Sequence, residues 1–591
     1  MRRTPLRAVL VMALGILAFA VAACGSSDKK KSSSGAKGAG IAKPTKGKQG
    51  GHLTVLAAAD IDYVDPGQTY YTFGYMVHYA VQRTLYYFEP GDTATPHADL
   101  ATGDPEISKD LKTLTIHIKK GVKFSPPVNR EVQSKDIKYA IERSFTKQVP
   151  SGYAGAYFSS IVGSPAKANT GNYKAFSGLQ TPDPYTLVIK LKEPKAALIK
   201  GALVMPITTP VPQEYAKKFD AKAPSTYDSH VVFSGPYMIK NDSSGKLIGR
   251  SPGKRIDIIR NPNWDKSTDD RPAYLESITI DEGNTDATVA ARRILNGTSL
   301  VAGDFATPPP AVLKTAVTRN KSQLAYVPSG GTRWIALNST VKPFDDVNVR
   351  KAVWAVFDRN ALRLTRGGAL VGDIAQGWIP PGIPGYEESG GINGFGFDYT
   401  KNPAGDLALA KSYMKKAGFK TGLYTGPKLL TIATNADPGK KTAEVAQAQF
   451  TKLGFKLNFR IVPQDTLYTK FCGVPKAKVA ICPNVGWFKD FNDPESMLSP
   501  TFDGNNILQQ GNVNWTQLND PAINAAMKKA SLVSEPGARA KAWADVNKMI
   551  VAQAPGVPYI WDKTILTESK NVQGAASQYD TDWDLAFTSL K

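Results

Sequence analysis

Cysteine is almost absent: three in 591 residues, at positions 24, 472 and 482. Histidine is nearly as scarce, with five, at 52, 78, 97, 117 and 230, in no spacing that would suit a metal. Neither a zinc centre nor any other metal is therefore expected, and ligand binding would need no cofactor. Assembled catalytic motifs are missing too. "FSGP" (233–236) lacks the flanking glycines of a nucleophile elbow. "GGINGFGFD" (390–398) has no Lys-Ser/Thr and follows no predicted strand, so it is not a phosphate loop. Nothing picks out a catalytic constellation, and the chain does not read as an enzyme. No internal repeat is visible. A net charge of +22 invites a nucleic-acid reading, but ten basic residues against one acid in residues 1–50 carry +9 of it. The remaining +13 is spread over 541 residues with no long basic run and no DNA- or RNA-binding signature, so no nucleic-acid partner is expected.

Long apolar runs are also lacking, with one exception. Residues 8–23, "AVLVMALGILAFAVAA", are shorter than the roughly 20 residues a membrane helix needs. Arg2, Arg3 and Arg7 precede the run and small residues end it, which predicts a signal peptide over 1–23. Val21-Ala22-Ala23-Cys24 resembles the bacterial lipobox, whose cysteine is acylated and becomes the mature N-terminus. Cys24 is thus the expected lipidation site. Residues 24–50 continue as a Gly/Ser/Lys tether with little to bury, spanning roughly 25–30 Å as a random coil. Together these predict a body held by lipid on the extracytoplasmic face of the cell membrane. Disulfides persist there, and "CGVPKAKVAIC" closes a short loop, so a Cys472–Cys482 bridge is expected where geometry allows.

From residue 51 onward predicted strands and helices alternate. "HLTVLAAAD" (52–60), "TLTIHIKKGVKF" (113–124), "YTLVIKLKEP" (185–194), "RIDIIRNP" (255–262), "SITIDEG" (277–283), "RWIALN" (333–338) and "FKLNFRIVP" (455–463) read as strands, several with period two. "SKDIKYAIERSF" (134–145) reads as a helix capped by Ser134, with Ile137, Ala140, Ile141 and Phe145 on one face. "DDVNVRKAVWAVFDRNAL" (345–362) and "SEPGARAKAWADVNKMIVAQ" (534–553) read as helices, the second with Pro536 in its first turn. The pattern predicts a mixed α/β body.

The order of these segments carries more. "ATPHADLATGDPEISKDLKTLTIHIKKGVKFSPPVNREVQSKDIKYAIERSF" (94–145) resembles the opening signature of the extracellular solute-binding proteins of family 5, the peptide-type receptors of ABC importers. Leu114, Ile116, Ile118, Gly121, Val122, Lys123, Phe124, Asp136, Ile137 and Arg143 stand at the family positions. "SGPYMIK" (234–240), "NPNWDKSTDDRPAYLESITI" (261–280), "PFDDVNVRKAVWAVFDRNAL" (343–362) and "DLALAKSYMKKAGF" (406–419) follow in the family's order. "SPPVNRE" (125–131) departs from it, where relatives usually carry His-Asp-Gly or Ser-Asp-Gly. The resemblance implies a monomeric, periplasmic-binding-protein-like fold: two lobes closing on a cleft by a hinge, with an extra inserted domain. Lobe I would comprise 51–82, 231–330 and 556–591, the inserted domain 83–230 and lobe II 331–555.

The same resemblance implies a site. In peptide-binding relatives an Asp three residues after a Trp pairs with the ligand's α-ammonium, and the backbone before it pairs with the ligand as an added strand. Trp487 and Asp490 match that spacing in "NVGWFKDFNDP" (484–494), with Val485 and Gly486 as the strand. Alternatively, Asp490 is a loop acid capping the turn that Asn492-Asp493-Pro494 would make. Asn484 stands where some oligopeptide receptors would carry an Arg for the ligand's carboxylate. "DIDYVDPGQTYYTFGY" (60–75) places Tyr63, Tyr70, Tyr71 and Phe73, with Tyr75, in a loop that faces the cleft in the family. Arg333 and Trp334 either touch ligand or brace the hinge. The implied partners are a peptide and a membrane-embedded ABC permease. An oligosaccharide or metal-chelate receptor on the same scaffold, or a sensor that has lost transport, are the alternatives.

Overall fold

The chain builds its first sheet in two visits. The computed structural model describes residues 46–591 except 93, 94, 166, 305–307 and 578, all within one compact unit. The expected signal peptide, Cys24 and nearly all of the tether lie outside the described residues. β1 (His52–Leu56) buries Leu53, Val55 and Leu56 completely and leads, through the loop 60–71, into the helix Thr72–Val81. The chain then leaves for a four-stranded antiparallel sheet. β2 (Glu106–Ile107), β3 (Thr113–His117), β4 (Leu179–Asp183) and β5 (Thr186–Lys190) stand in the order β2-β3-β5-β4. β3 and β5 alternate buried and half-exposed residues, as period-two strands with one buried face do.

The helix Ser134–Arg143 covers this sheet, and its start corrects the expected cap. Gln133 is the N-cap, its side chain taking the N3 amide while Asp136 returns a bond to the Gln133 amide. Ser134 is the first helical residue and donates to the Asp183 carbonyl at 2.7 Å. Several later helices start on acids. Asp346 caps Val347–Val356, and Asp358 caps a separate helix Arg359–Leu364 after a break at Phe357. Glu535 caps Pro536–Gln553.

The return visit completes the first sheet with β6 (Tyr237–Ile239), β7 (Arg250–Ser251), β8 (Arg255–Arg260), β9 (Ser277–Asp281) and β10 (Leu300–Ala302). Its order is β10-β1-β9-β8-β6, with β7 on β8, and β1 pairs parallel to both neighbours. The second large sheet comprises β11 (Leu324–Leu337), β12 (Gly372–Asp373), β13 (Leu429–Thr434), β14 (Leu457–Val462), β15 (Ile481–Phe488) and β16 (Gly556–Thr567), in the order β12-β16-β11-β15-β13-β14.

β11 and β16 form one long antiparallel ribbon that belongs to both halves. Ala325, Val327 and Leu566 pack in the core of the first sheet, whereas Trp334, Ile335, Val557 and Ile560 pack in the core of the second. A bridge between Val301 and Glu568 ties the ribbon's end to the first sheet's edge. The expected boundary at 330/331 therefore falls inside a continuous strand, and 556–567 lies in the second sheet. Between the two halves the ribbon's register shifts over Pro328–Gly331, where Gly330 has φ +54°. The Cys472–Cys482 disulfide is formed, its Cα atoms 6.3 Å apart. Among the described residues no helix is long and apolar enough to cross a membrane.

Candidate functional site

Two buried acids shape the loop between β1 and the first helix. Asp62 accepts the amides of Tyr63 and Tyr70 at 2.8 and 2.5 Å and the Thr69 hydroxyl at 2.8 Å. Its burial pushes the carboxyl up to about 7, against those bonds. Asp65 takes both Nη groups of Arg143, at 2.6 and 2.9 Å, which fastens the loop to the inserted domain. A Cβ on Gly74 would stand 2.5 Å from the Asp62 carboxylate, so glycine there lets the helix start against the acid.

The loop so held presents Tyr63, Tyr70 and Tyr71 to a cavity of about 260 Å³. Tyr75, one turn into the helix, lines it as well. Phe73 does not. It is fully buried in the core of the first sheet with Met76 and Val77, because its position on the helix turns it toward β1. Trp334 is likewise buried at 1 % exposure in the second core, edge-on to Trp378 at 5.4 Å, and does not reach the cavity. Its neighbour Arg333 does. It pairs with Asp562 of β16 and lies over the Phe488 ring at 5.2 Å, so it ties three strands together on the cavity wall.

β15 brings Gly486, Trp487, Phe488 and then Lys489 and Asp490 to the cavity. Its inner edge pairs with β11, Val485 opposite Trp334 and Gly486 opposite Arg333. Its outer edge pairs with β13 only at Ile481–Thr431, so residues 482–488 have no strand partner there among the described residues. Gly486 is instead hydrogen-bonded through its backbone to the Tyr468 hydroxyl. The Val485 side chain is buried in the second core. Asn484 is also off the wall, accepting from the Tyr559 hydroxyl at 2.8 Å.

Asp490 is 4 % exposed. Tyr70 donates to its Oδ2 at 2.7 Å, and the Tyr157 hydroxyl donates to the same oxygen at shorter range. Oδ1 has no hydrogen bond among the described residues. Burial pushes the carboxyl up to about 7, and the two hydroxyls oppose that shift by stabilising the anion. The turn-capping role falls elsewhere. Asp493 caps the helix Pro494–Phe502 and, with Glu495, is clamped by Arg539 at 2.7–2.8 Å. The Trp487 indole N–H bonds the Ser496 carbonyl at 2.8 Å, and Phe491 plugs into the inserted domain's core. Asp490 is thus where three parts of the chain meet: Tyr70 from the first, Tyr157 from the insertion and β15 from the second. Tyr70 is wedged between Trp487 (5.1 Å, edge-on) and Tyr153 (4.5 Å), and glycine at 152 leaves room, since a Cβ would meet its ring at 2.4 Å.

Several wall residues were not expected from sequence. Tyr468 and Trp515 add aromatic surface; Asp304, Asp580 and Asp582 add charge. Tyr579 stacks on Tyr75 at 6.3 Å. Seven aspartates face four basic residues around the wall, so the cavity is acidic in a chain of net charge +22. Of the four, Arg366 has Nε and Nη1 without hydrogen-bond partners among the described residues, with Asp562 3.6 Å away. Lys489 is buried, which lowers its ammonium to about 8. Among the described residues no group of three His, Cys, Asp or Glu side chains could hold a metal ion.

A two-lobe body with a polar, aromatic-lined cavity at the junction of its halves is the architecture of solute-binding receptors. Residues 95–509 match the bacterial extracellular solute-binding proteins, family 5 (middle), and the chain belongs to that family. It is 26 % identical over 501 residues to a dipeptide-binding protein of Pseudomonas aeruginosa, covering 83 % of this chain and 85 % of that one. It is 26 % identical over 486 residues to heme-binding protein A of Haemophilus influenzae, covering 79 % and 80 %. Among solved structures, the Escherichia coli murein tripeptide binding protein superposes with a TM-score of 0.75 at 18 % identity, covering 92 % of this chain and 98 % of that one. The clavulanic acid biosynthesis oligopeptide binding protein 2 superposes at 0.73 with 24 % identity, covering 94 % and 96 %.

Proposed function

We propose that the protein is a lipid-anchored receptor on the extracytoplasmic face of the membrane that captures short peptides and hands them to an ABC permease. One observation carries the peptide reading: a buried carboxylate, Asp490, on the cavity wall, with one oxygen held by two tyrosine hydroxyls and the other without a hydrogen bond among the described residues. An α-ammonium brings three donors to such an oxygen, and the charge-assisted bond discriminates against neutral ligands. The unpaired outer edge of β15, ending beside Asp490, suits an extended peptide backbone, a mode indifferent to side chains. Arg366, ion-paired with Asp562 but with Nε and Nη1 making no hydrogen bond among the described residues, is the counterpart for the carboxylate end. The cavity of about 260 Å³ lies just below the usual 300–1,000 Å³ of small-ligand sites and suits a short peptide. The names of relatives that bind dipeptides and oligopeptides support the same class of ligand.

In this reading the lobes close about the β11–β16 ribbon, which bends at Pro328–Gly331. The aromatic residues Tyr63, Tyr70 and Tyr71 with Trp487 line the closed cleft, and Gly486 and Val485 supply backbone. Cys24 carries the lipid, and the tether keeps the body near the permease. Calorimetric titration of the purified protein with a mixed peptide library, and with the same library N-acetylated, tests it. Heat that vanishes on acetylation supports the ammonium anchor. Heat that survives removes it, and no heat with either library turns the reading to an oligosaccharide or metal chelate.

A further inference from the structure

The cavity has a second acidic pole, and the ammonium anchor does not use it. Asp580 and Asp582 come from the C-terminal segment and Asp304 from the loop after β10, and all three line the cavity. Two of them have partners of the protein's own. Asp304 accepts the Tyr71 hydroxyl. Asp580 accepts the Asp582 amide at 3.2 Å and a bond from the Ser577 side chain, and Lys489 interacts with it. Asp582 is different. The residue is 7 % exposed, yet among the described residues its carboxylate has no hydrogen bond and no ion pair. Its electrostatic neighbours are Asp580 and Asp304, both of the same sign, and with burial they push its carboxyl well above the ordinary range. An uncompensated carboxyl in so enclosed a place is costly. A proton relieves it in the ligand-free protein, and a cation entering through the cavity would take that proton's place.

We propose that Asp582, with Asp304 and Asp580 beside it, receives a second positive charge of the ligand, so that the receptor selects peptides bearing a lysine or arginine side chain. This rests on the peptide reading above. The acids are too dispersed to close on a bare metal ion, which favours an organic cation on a flexible stem. Tyr75 and Tyr579, stacked on the wall, provide a surface for that stem and a π-face for its charge. Tyr579 also links the poles: it stands three residues before Asp582 and feels the charge of Asp490.

The test is calorimetry on wild type and Asp582→Asn with alanine tripeptides carrying lysine at position 1, 2 or 3, each matched by its Nε-acetyl-lysine form. In wild type, at one position at least, the lysine peptide should bind about 30-fold tighter than its acetylated twin. Asp582→Asn should remove that preference and leave the acetyl-lysine peptide within about twofold. Equal affinity of the twins at every position in wild type overturns the inference without reference to any variant. So does a preference that persists in Asp582→Asn. The same peptides blocked at the α-amino group separate this from the underlying reading. If α-acetylation abolishes binding while ε-acetylation is neutral, only the second pole falls. If no peptide binds, the peptide reading falls and takes the second pole with it; if α-acetylation changes nothing, only the Asp490 anchor falls.

Discussion

Asp490 and Asp582 reach the same cavity as buried carboxylates and are held in opposite ways. Asp490 leaves the end of a sheet strand and receives two tyrosine hydroxyls on one oxygen, each hydroxyl carried by a different part of the chain. Asp582 leaves a loop, and among the described residues its carboxylate receives no hydrogen bond and no ion pair. The first arrangement fixes where a ligand charge must sit, because the donors set the direction of the free oxygen. The second leaves position open and only favours charge of one sign. If the ligand is a peptide, as proposed, a receptor for varied sequences gains from that division, since the amino terminus is common to all peptides and side chains are not.

Removing the fixed anchor should have the largest effect. Asp490→Asn is expected to weaken peptides with a free amino terminus by about 30- to several-thousand-fold, the cost of leaving a desolvated ammonium without its partner. N-acetylated peptides should lose little. Because the wild-type carboxyl is itself destabilised by burial, the variant's melting temperature at pH 8 should not fall. Equal losses for both peptide classes would mean that Asp490 holds the lobes together and does not read charge.

A smaller effect should follow from loosening the anchor. Tyr157→Phe keeps the ring in the inserted domain's core and removes one charge-assisted bond. About 1.5–3 kcal/mol is at stake in a hydrogen bond to a charged group, so a loss of about ten- to a hundred-fold for free-amino peptides is expected at pH 7. Raising the pH should recover part of it, since the variant carboxyl titrates higher. The lysine preference assigned to Asp582 should be untouched. If Tyr157→Phe erases that preference as well, the two poles are one site.

How much of this the sequence announces depends on which faces are buried. β1, β3, β5 and β8 alternate in the text and alternate in burial. β13, β15 and β16 escape notice because they are buried on both faces, and "ICPNVGWF" has no period to read. The Trp487–Asp490 spacing is legible from the family pattern alone. The aromatic loop is legible only as a group: Tyr70 and Tyr71 face the cavity while Phe73 and Trp334 fill cores, and nothing in residue type separates them. Tyr157, 333 positions before Asp490, could not be paired with it by reading along the chain. The alternating acids of "YDTDWD" (579–584) were visible, but an acidic run in text gives no sign of burial.

The smallest effect distinguishes the poles by protons. Asp490 and Asp580 are each pushed up to about 7 by burial, against an ordinary value of 3.8. In the folded protein they hold protons that the unfolded chain gives up above about 4. Their contribution to stability is therefore full below about 3.8 and is lost as pH rises through about 7, the reverse of a salt-bridged carboxylate. The ligand-free melting temperature should fall across that window for this reason. A bound ammonium favours the ionised form of the acid it meets and must expel its proton. At pH 7 a peptide without basic side chains should release about half a proton more from wild type than from Asp490→Asn. Calorimetry in two buffers of different ionisation heat reads that difference directly. Adding a lysine side chain should raise the release further, and that increment should survive Asp490→Asn and disappear in Asp582→Asn. An increment that tracks Asp490 instead would place both charges on one carboxylate.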